Sequence, residues 1–242
     1  MTTIIHPRSS TREPTPPTVT HGTARITGLL YLAVAIIGAL GFLVIRPTLF
    51  QVGDPTATTA ALLDNVGLAR LGLGMDLALV VTQTFAALWF SKLFRAVDAF
   101  AAGMIAVFGM VNAVVILVST AMTATALDLA LASAGGGEAH LVYLVSENLW
   151  GVGTLFFGLW LIPMGWCALR SVRMPSALGW VLMIGGVGYV LSGFMAYLIP
   201  DLAAVADALV VPATIGEVWM VGYLLVRGDR VTADHALVGR TS

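Results

Sequence analysis

Charge is what this sequence is shortest of. Asp, Glu, Lys and Arg make up only 10% of its 242 residues, against about a quarter in a soluble globular domain. Lysine occurs once, as Lys92, and cysteine once, as Cys167. One cysteine excludes an internal disulfide and a thiolate metal cage. A net charge of −1 supplies no field that would gather nucleic acid, so none is expected as a partner. The four histidines, His6, His21, His140 and His235, fall in tails or a connecting segment. No metal set and no Ser-His-Asp arrangement therefore lies inside the apolar runs. Neither a catalytic residue nor a cofactor is indicated, and a membrane enzyme acting on a lipid-like substrate is the least favoured class.

What the chain does have is hydrophobic length. Of its residues 58% are hydrophobic, gathered into runs of 20 or so, the length that crosses a bilayer as a helix. The runs predict an all-α, polytopic bundle of six transmembrane helices. They cover Arg25 to Ile45, Leu68 to Ser91, Ala99 to Leu127, Leu141 to Leu169, Ser176 to Ile199 and Ala208 to Val226. Residues 1–23, rich in Pro, Ser and Thr, read as a disordered tail. Residues 24–228 form the membrane domain and 229–242 a second tail. The first run exceeds the h-region of a signal peptide and has no small-residue cleavage site after it, so it is retained as a span. Pro163 gives the fourth span a place to bend. Asp54-Pro55 reads as a cap and first residue of a short surface helix over TATTAALLDNV, more readily a connector than a lid.

Basic residues settle the expected orientation. With both termini cytoplasmic, the inner side collects Arg8, Arg12, Arg25, Lys92, Arg95, Arg170, Arg173, Arg227, Arg230 and Arg240, and the outer side keeps Arg46 and Arg70. That asymmetry obeys the positive-inside rule. The excess of Arg over Lys, together with abundant Ala, Val and Gly, suggests a GC-rich bacterial genome and hence the bacterial cytoplasmic membrane as location.

Candidate functional residues are the polar ones inside the spans, because a charge at a span centre costs roughly 2.5–3.5 kcal/mol on insertion scales and is seldom kept without a role. Asp76 lies roughly 12 Å, Glu147 roughly 9 Å and Glu217 roughly 13 Å below the outer edges of their expected spans at about 1.5 Å per residue. The three acids are thus expected to share the outer half, with Arg70 at the mouth of the second span. Gln83 shares the face of Asp76 at a seven-residue spacing, and Asn112 begins a polar stripe that continues through Ser119 and Thr123. Glu147, Gly151, Thr154 and Gly158 form a stripe on the fourth span that lets a neighbouring backbone approach. Trp89, Trp166, Trp180, Tyr223, Tyr143, Trp150 and Tyr197 sit near span ends and read as an aromatic belt.

Four stretches carry a family resemblance. They are ARITGLLYL at Ala24 to Leu32, RLGLGMDL at Arg70 to Leu77, Phe156-Phe157-Gly158-Leu159 leading through Arg173-Met174-Pro175 to Gly188-Tyr189, and Pro212 to Glu217. Together they resemble the bacterial membrane family of domain of unknown function 4386, over about Ala24 to Gly228. The resemblance implies an integral membrane protein with Arg70, Asp76 and Glu217 at motif positions, and no assigned activity. The resemblance also implies departures: many relatives carry charged residues in the third span, where this chain has Gly109 and Asn112, and many a histidine near the start of the fourth, where it has Ser146, Glu147 and Asn148.

Two functional classes stand nearly level. One is a small transporter or binder of a proton, cation or small solute, with Arg70, Asp76, Gln83, Asn112, Glu147, Asn148 and Glu217 as candidate site residues. The other is a non-catalytic subunit or scaffold, with a protein partner or further copies of itself. The bilayer is the partner common to both.

Overall fold

The computed structural model describes residues 21–132, 137–172 and 174–238. Among them every regular element is helical. Helix α1 runs over His21–Leu40, passes through a π-helical turn at Gly41–Ile45 and resumes over Arg46–Leu49. The short α2 covers Pro55–Asp64. Then come α3, Val66–Phe94, α4, Ala99–Ala132, α5, Gly137–Arg170, and α6, Ser176–Leu198. A single 3₁₀ turn at Pro200–Leu202 leads into α7, Ala203–Val238. All but α2 are long and apolar enough to span a membrane, six helices among the described residues.

The span boundaries shift in two places that matter. The first helix does not stop at Ile45 but continues to Leu49, which brings Arg46 into the bundle. The last helix starts earlier than Ala208 and continues past Gly228 to Val238, over residues expected in the tail. The rest of the amino-terminal tail, 1–20, lies outside the described residues, as do 239–242.

Local sequence explains how the turns are made. Gly53 takes a positive φ of 76°, a conformation glycine adopts without penalty. Asp54 then caps α2, its carboxylate accepting from Ala57 N–H at 2.9 Å, with Pro55 in the first turn. The helix is more than a connector. Leu62 is fully buried and joins Ile45, Leu49, Ala69, Ala126 and Tyr143 in a core cluster, and Thr58 reaches His140 at 2.9 Å. His140 is therefore a buried helical residue, stacked on Phe50 with ring centroids 5.1 Å apart. Its assignment to a loop fails because α5 already begins at Gly137. At the other end of the bundle, Asp98 caps α4 through the N–H groups of Phe100 and Ala101.

Successive spans are antiparallel neighbours, and α7 closes back on α1, so the six form a ring. The α5–α6 contact is built on close backbone approach. A Cβ on Gly158 would lie 2.6 Å from the carbonyl oxygen of Gly186, and one on Gly165 would lie 2.6 Å from that of Gly179. Between helices in lipid, where no hydrophobic drive assembles them, such backbone contact supplies the packing energy. The stripe Gly151, Thr154, Gly158 thus faces α6. The start of α1 and the Gly228 end of the last span lie together at one end of this ring, here termed proximal; the connection that carries α2 lies at the other, distal end.

Candidate functional site

The site is organised by Arg46. A π turn carries an extra residue, which displaces every later side chain by about 100° around the helix axis. Immediately after it Arg46 lies on the inner face, 6% exposed, whereas Pro47 and Thr48 are exposed. Its Nη1 donates to Glu147 Oε1 at 2.6 Å. Its Nη2 donates to Asp76 Oδ2 at 3.3 Å and reaches Ser119 Oγ at 3.5 Å. The guanidinium carbon lies 4.6 Å from the centre of the Trp150 ring, a cation–π contact. Gly41 leaves room beside Asp76, whose Oδ1 would be 3.7 Å from a Cβ there. Behind Ser119, hydroxyls continue the network, with Ser119 to Ser146 at 2.7 Å and Ser146 to Thr123 at 2.8 Å.

A cleft of about 10 Å³ opens at this point, lined by Gly41, Ile45, Arg46, Asp76, Thr123 and Tyr143 among others. That is space for about one water-sized particle. One guanidinium here faces two carboxylates. Fully ionised, the group carries one excess negative charge, which a low-dielectric interior does not leave unbalanced.

The structure redistributes the residues expected in the site. Asp76 and Glu147 meet, but on Arg46 and not on Arg70, which is exposed. The sequence counts Arg46 as an outer-side cation and not as a site residue, because the apolar run ends at Ile45 and the π turn has no signature in the sequence. Glu217 is elsewhere. It accepts from Tyr31 Oη at 2.6 Å, and Tyr31 packs edge-on against Phe90 and Trp160. Tyr31 precedes Arg46 by fifteen residues on one continuous rod, or roughly 22 Å at about 1.5 Å per residue. The expectation that three acids share one depth is thus corrected. Because α7 starts at Ala203 after the Pro200 turn, Glu217 sits deeper than its expected span start implied, in the proximal half.

Asn148 is exposed and bonds its own helix, Nδ2 to Leu144 O at 3.0 Å. Gln83 and Asn112 are each 1% exposed, and neither amide has a protein partner. A buried polar group in that condition costs about 1–3 kcal/mol. Two aromatics assigned to the membrane belt serve the distal end instead: Trp150 lies on Arg46, and Tyr143 is stacked on Phe50 at 4.9 Å. Among the described residues no group of three or more His, Cys, Asp and Glu could hold a metal ion.

Comparison with known families adds one match. Residues 26–228 match the family described as Domain of unknown function (DUF4386). The chain belongs to that family. No curated protein and no solved structure matches it. In this DUF4386 member the aspartate of RLGLGMDL, Asp76, is the residue that enters the Arg46 site.

Proposed function

We propose that this integral membrane protein binds, and moves across the bilayer, a single positive charge as a proton or small monovalent cation at the Arg46, Asp76 and Glu147 site. The observation that carries the reading is the charge balance: two carboxylates on one buried guanidinium, beside a cleft with room for one water-sized particle. A structural ion pair needs one carboxylate. The second confers a net −1 that a proton or cation neutralises. The unequal exposure of the two acids supports exchange, since the Glu147 side chain is 26% exposed and that of Asp76 10%.

The distal end is read as the outer side of a bacterial cytoplasmic membrane. Arg25, Lys92, Arg95, Arg170 and Arg227 all lie at the proximal end of the ring, and with Arg46 engaged inside the bundle Arg70 is the exposed distal cation. The asymmetry obeys the positive-inside rule.

The test is flux in proteoliposomes carrying an entrapped pH dye, or sodium as tracer. Wild type should dissipate an imposed gradient. Asp76→Asn and Glu147→Gln should each lower the rate at least ten-fold while keeping a monodisperse size-exclusion profile. Folded variants that transport as wild type does would end this reading and leave the site a packing device.

A further inference from the structure

Two polar networks bound the interior of the ring, the Arg46 site distally and the Tyr31–Glu217 pair proximally. Tyr31, Phe90, Trp160 and Glu217 come from four different helices, so this pair lies inside the ring. Between the two networks, α3 and α4 run antiparallel. Asp76 and Ser119 meet at Arg46. Seven residues further into the bundle on each helix stand Gln83 and Asn112, and seven more bring Phe90 and Ile105 to the level of Tyr31. On α5, Gly153 faces Asn112, whose Oδ1 would be 3.9 Å from a Cβ there.

The unpartnered atoms follow the same column. Among the described residues the buried side-chain polar atoms without a hydrogen-bond partner are both amide atoms of Gln83, both of Asn112, and the indole nitrogens of Trp150 and Trp160. Trp150 lies on Arg46 and Trp160 packs on Tyr31. The set therefore begins at one network, ends at the other and has its two amides midway. Buried polar groups are normally satisfied, by ordered water where protein does not reach.

We propose that Gln83, Asn112, Trp150 and Trp160 line a chain of water molecules through the bundle, and that this chain carries protons between the Arg46 site and Glu217. Each water takes one proton from the neighbour on one side and passes one to the neighbour on the other. The proton that enters at Asp76 thus leaves an equal charge on the Glu217 carboxylate, which returns it to water at the proximal end. The amides hold the waters in register, offering one oxygen and two N–H donors each. Proton passage rests on the function proposed above; hydration of the column does not.

Two measurements on the full chain in proteoliposomes separate these. In a Cys167→Ala background, Asn112→Cys and Gln83→Cys are exposed to silver ion and free thiol is followed by mass spectrometry. Val114→Cys, at a position 57% exposed on the lipid face, is the control. Labelling of the two interior cysteines should exceed the control at least ten-fold; equal rates overturn the water chain. Separately, Gln83→Leu with Asn112→Leu should cut proton flux at least ten-fold while the infrared response of Asp76 and Glu147 to added protons persists. Wild-type flux in that variant overturns the column as the proton route and leaves the Arg46 site standing. Absence of flux in the wild type itself would remove the proposed function and the proton role together, and the silver labelling then decides hydration alone.

Discussion

At the scale of single residues, Arg46 decides how the distal end is held together. Removing one member of a buried ion group leaves charge uncompensated and costs about 3–5 kcal/mol, whereas removing the whole group is close to neutral. Arg46→Met alone should therefore lower thermal stability in detergent by that amount. Adding Asp76→Asn and Glu147→Gln should restore most of it. The order is measurable by melting in one detergent, and an Arg46→Met variant as stable as wild type would show that the guanidinium holds nothing. Asp98 makes the complementary case outside the spans. The N–H of Ala101, then the Trp166 indole, and the Arg170 guanidinium hold its carboxyl below the usual carboxylate range. A lowered folded value means that the contribution is present above the ordinary 3.8 and lost as pH falls through the lowered one. Asp98→Asn should thus lower the melting temperature at neutral pH, and the gap to wild type should close as pH falls below 3.8.

At the scale of elements, the sequence was a good guide wherever the rule depends on composition. Six spans, the Asp54 cap with Pro55, and the small-residue stripe of α5 follow from hydrophobic length, turn chemistry and spacing. What escaped it depends on phase and length at helix ends. A five-residue π turn at Gly41–Ile45 looks like any apolar run, yet it sets the direction of Arg46. A few extra residues at the start of α7 moved Glu217 from one half of the bundle to the other. Asp76 was legible because its helix starts within two residues of the expected Leu68; α5 starts four residues before the expected Leu141, yet Glu147 still reaches the same guanidinium as Asp76. The α5–α6 contact gives the prediction proper to this scale. Gly158→Ala places a methyl 2.6 Å from the Gly186 carbonyl oxygen, a backbone atom that cannot rotate away. Overpacking of this kind costs about 1–3 kcal/mol. Gly103→Ala, on α4 with nothing within 4 Å, should leave stability unchanged or raise it slightly, and the pair of melting curves tests the contact.

At the scale of the whole molecule, a ring of six antiparallel spans places the start of α1 and the Gly228 end of the last span at the same end of the bundle. Reporter fusions at Arg227 and at the α2 connection should report opposite sides, and with the basic residues gathered proximally the Arg227 fusion should report the cytoplasm. The ring also explains how so few charges suffice. The interior needs only enough polar groups to mark two networks and the column between them, and the lipid-facing surface needs none. The proposed function therefore turns on whether positive charge enters and leaves the Arg46 site. The most direct measurement is infrared difference spectroscopy of the purified protein as protons or sodium are added. A change in the carboxylate bands that disappears in the Asp76→Asn, Glu147→Gln double variant is predicted. Carboxylate bands that respond identically in wild type and in that variant would contradict the account.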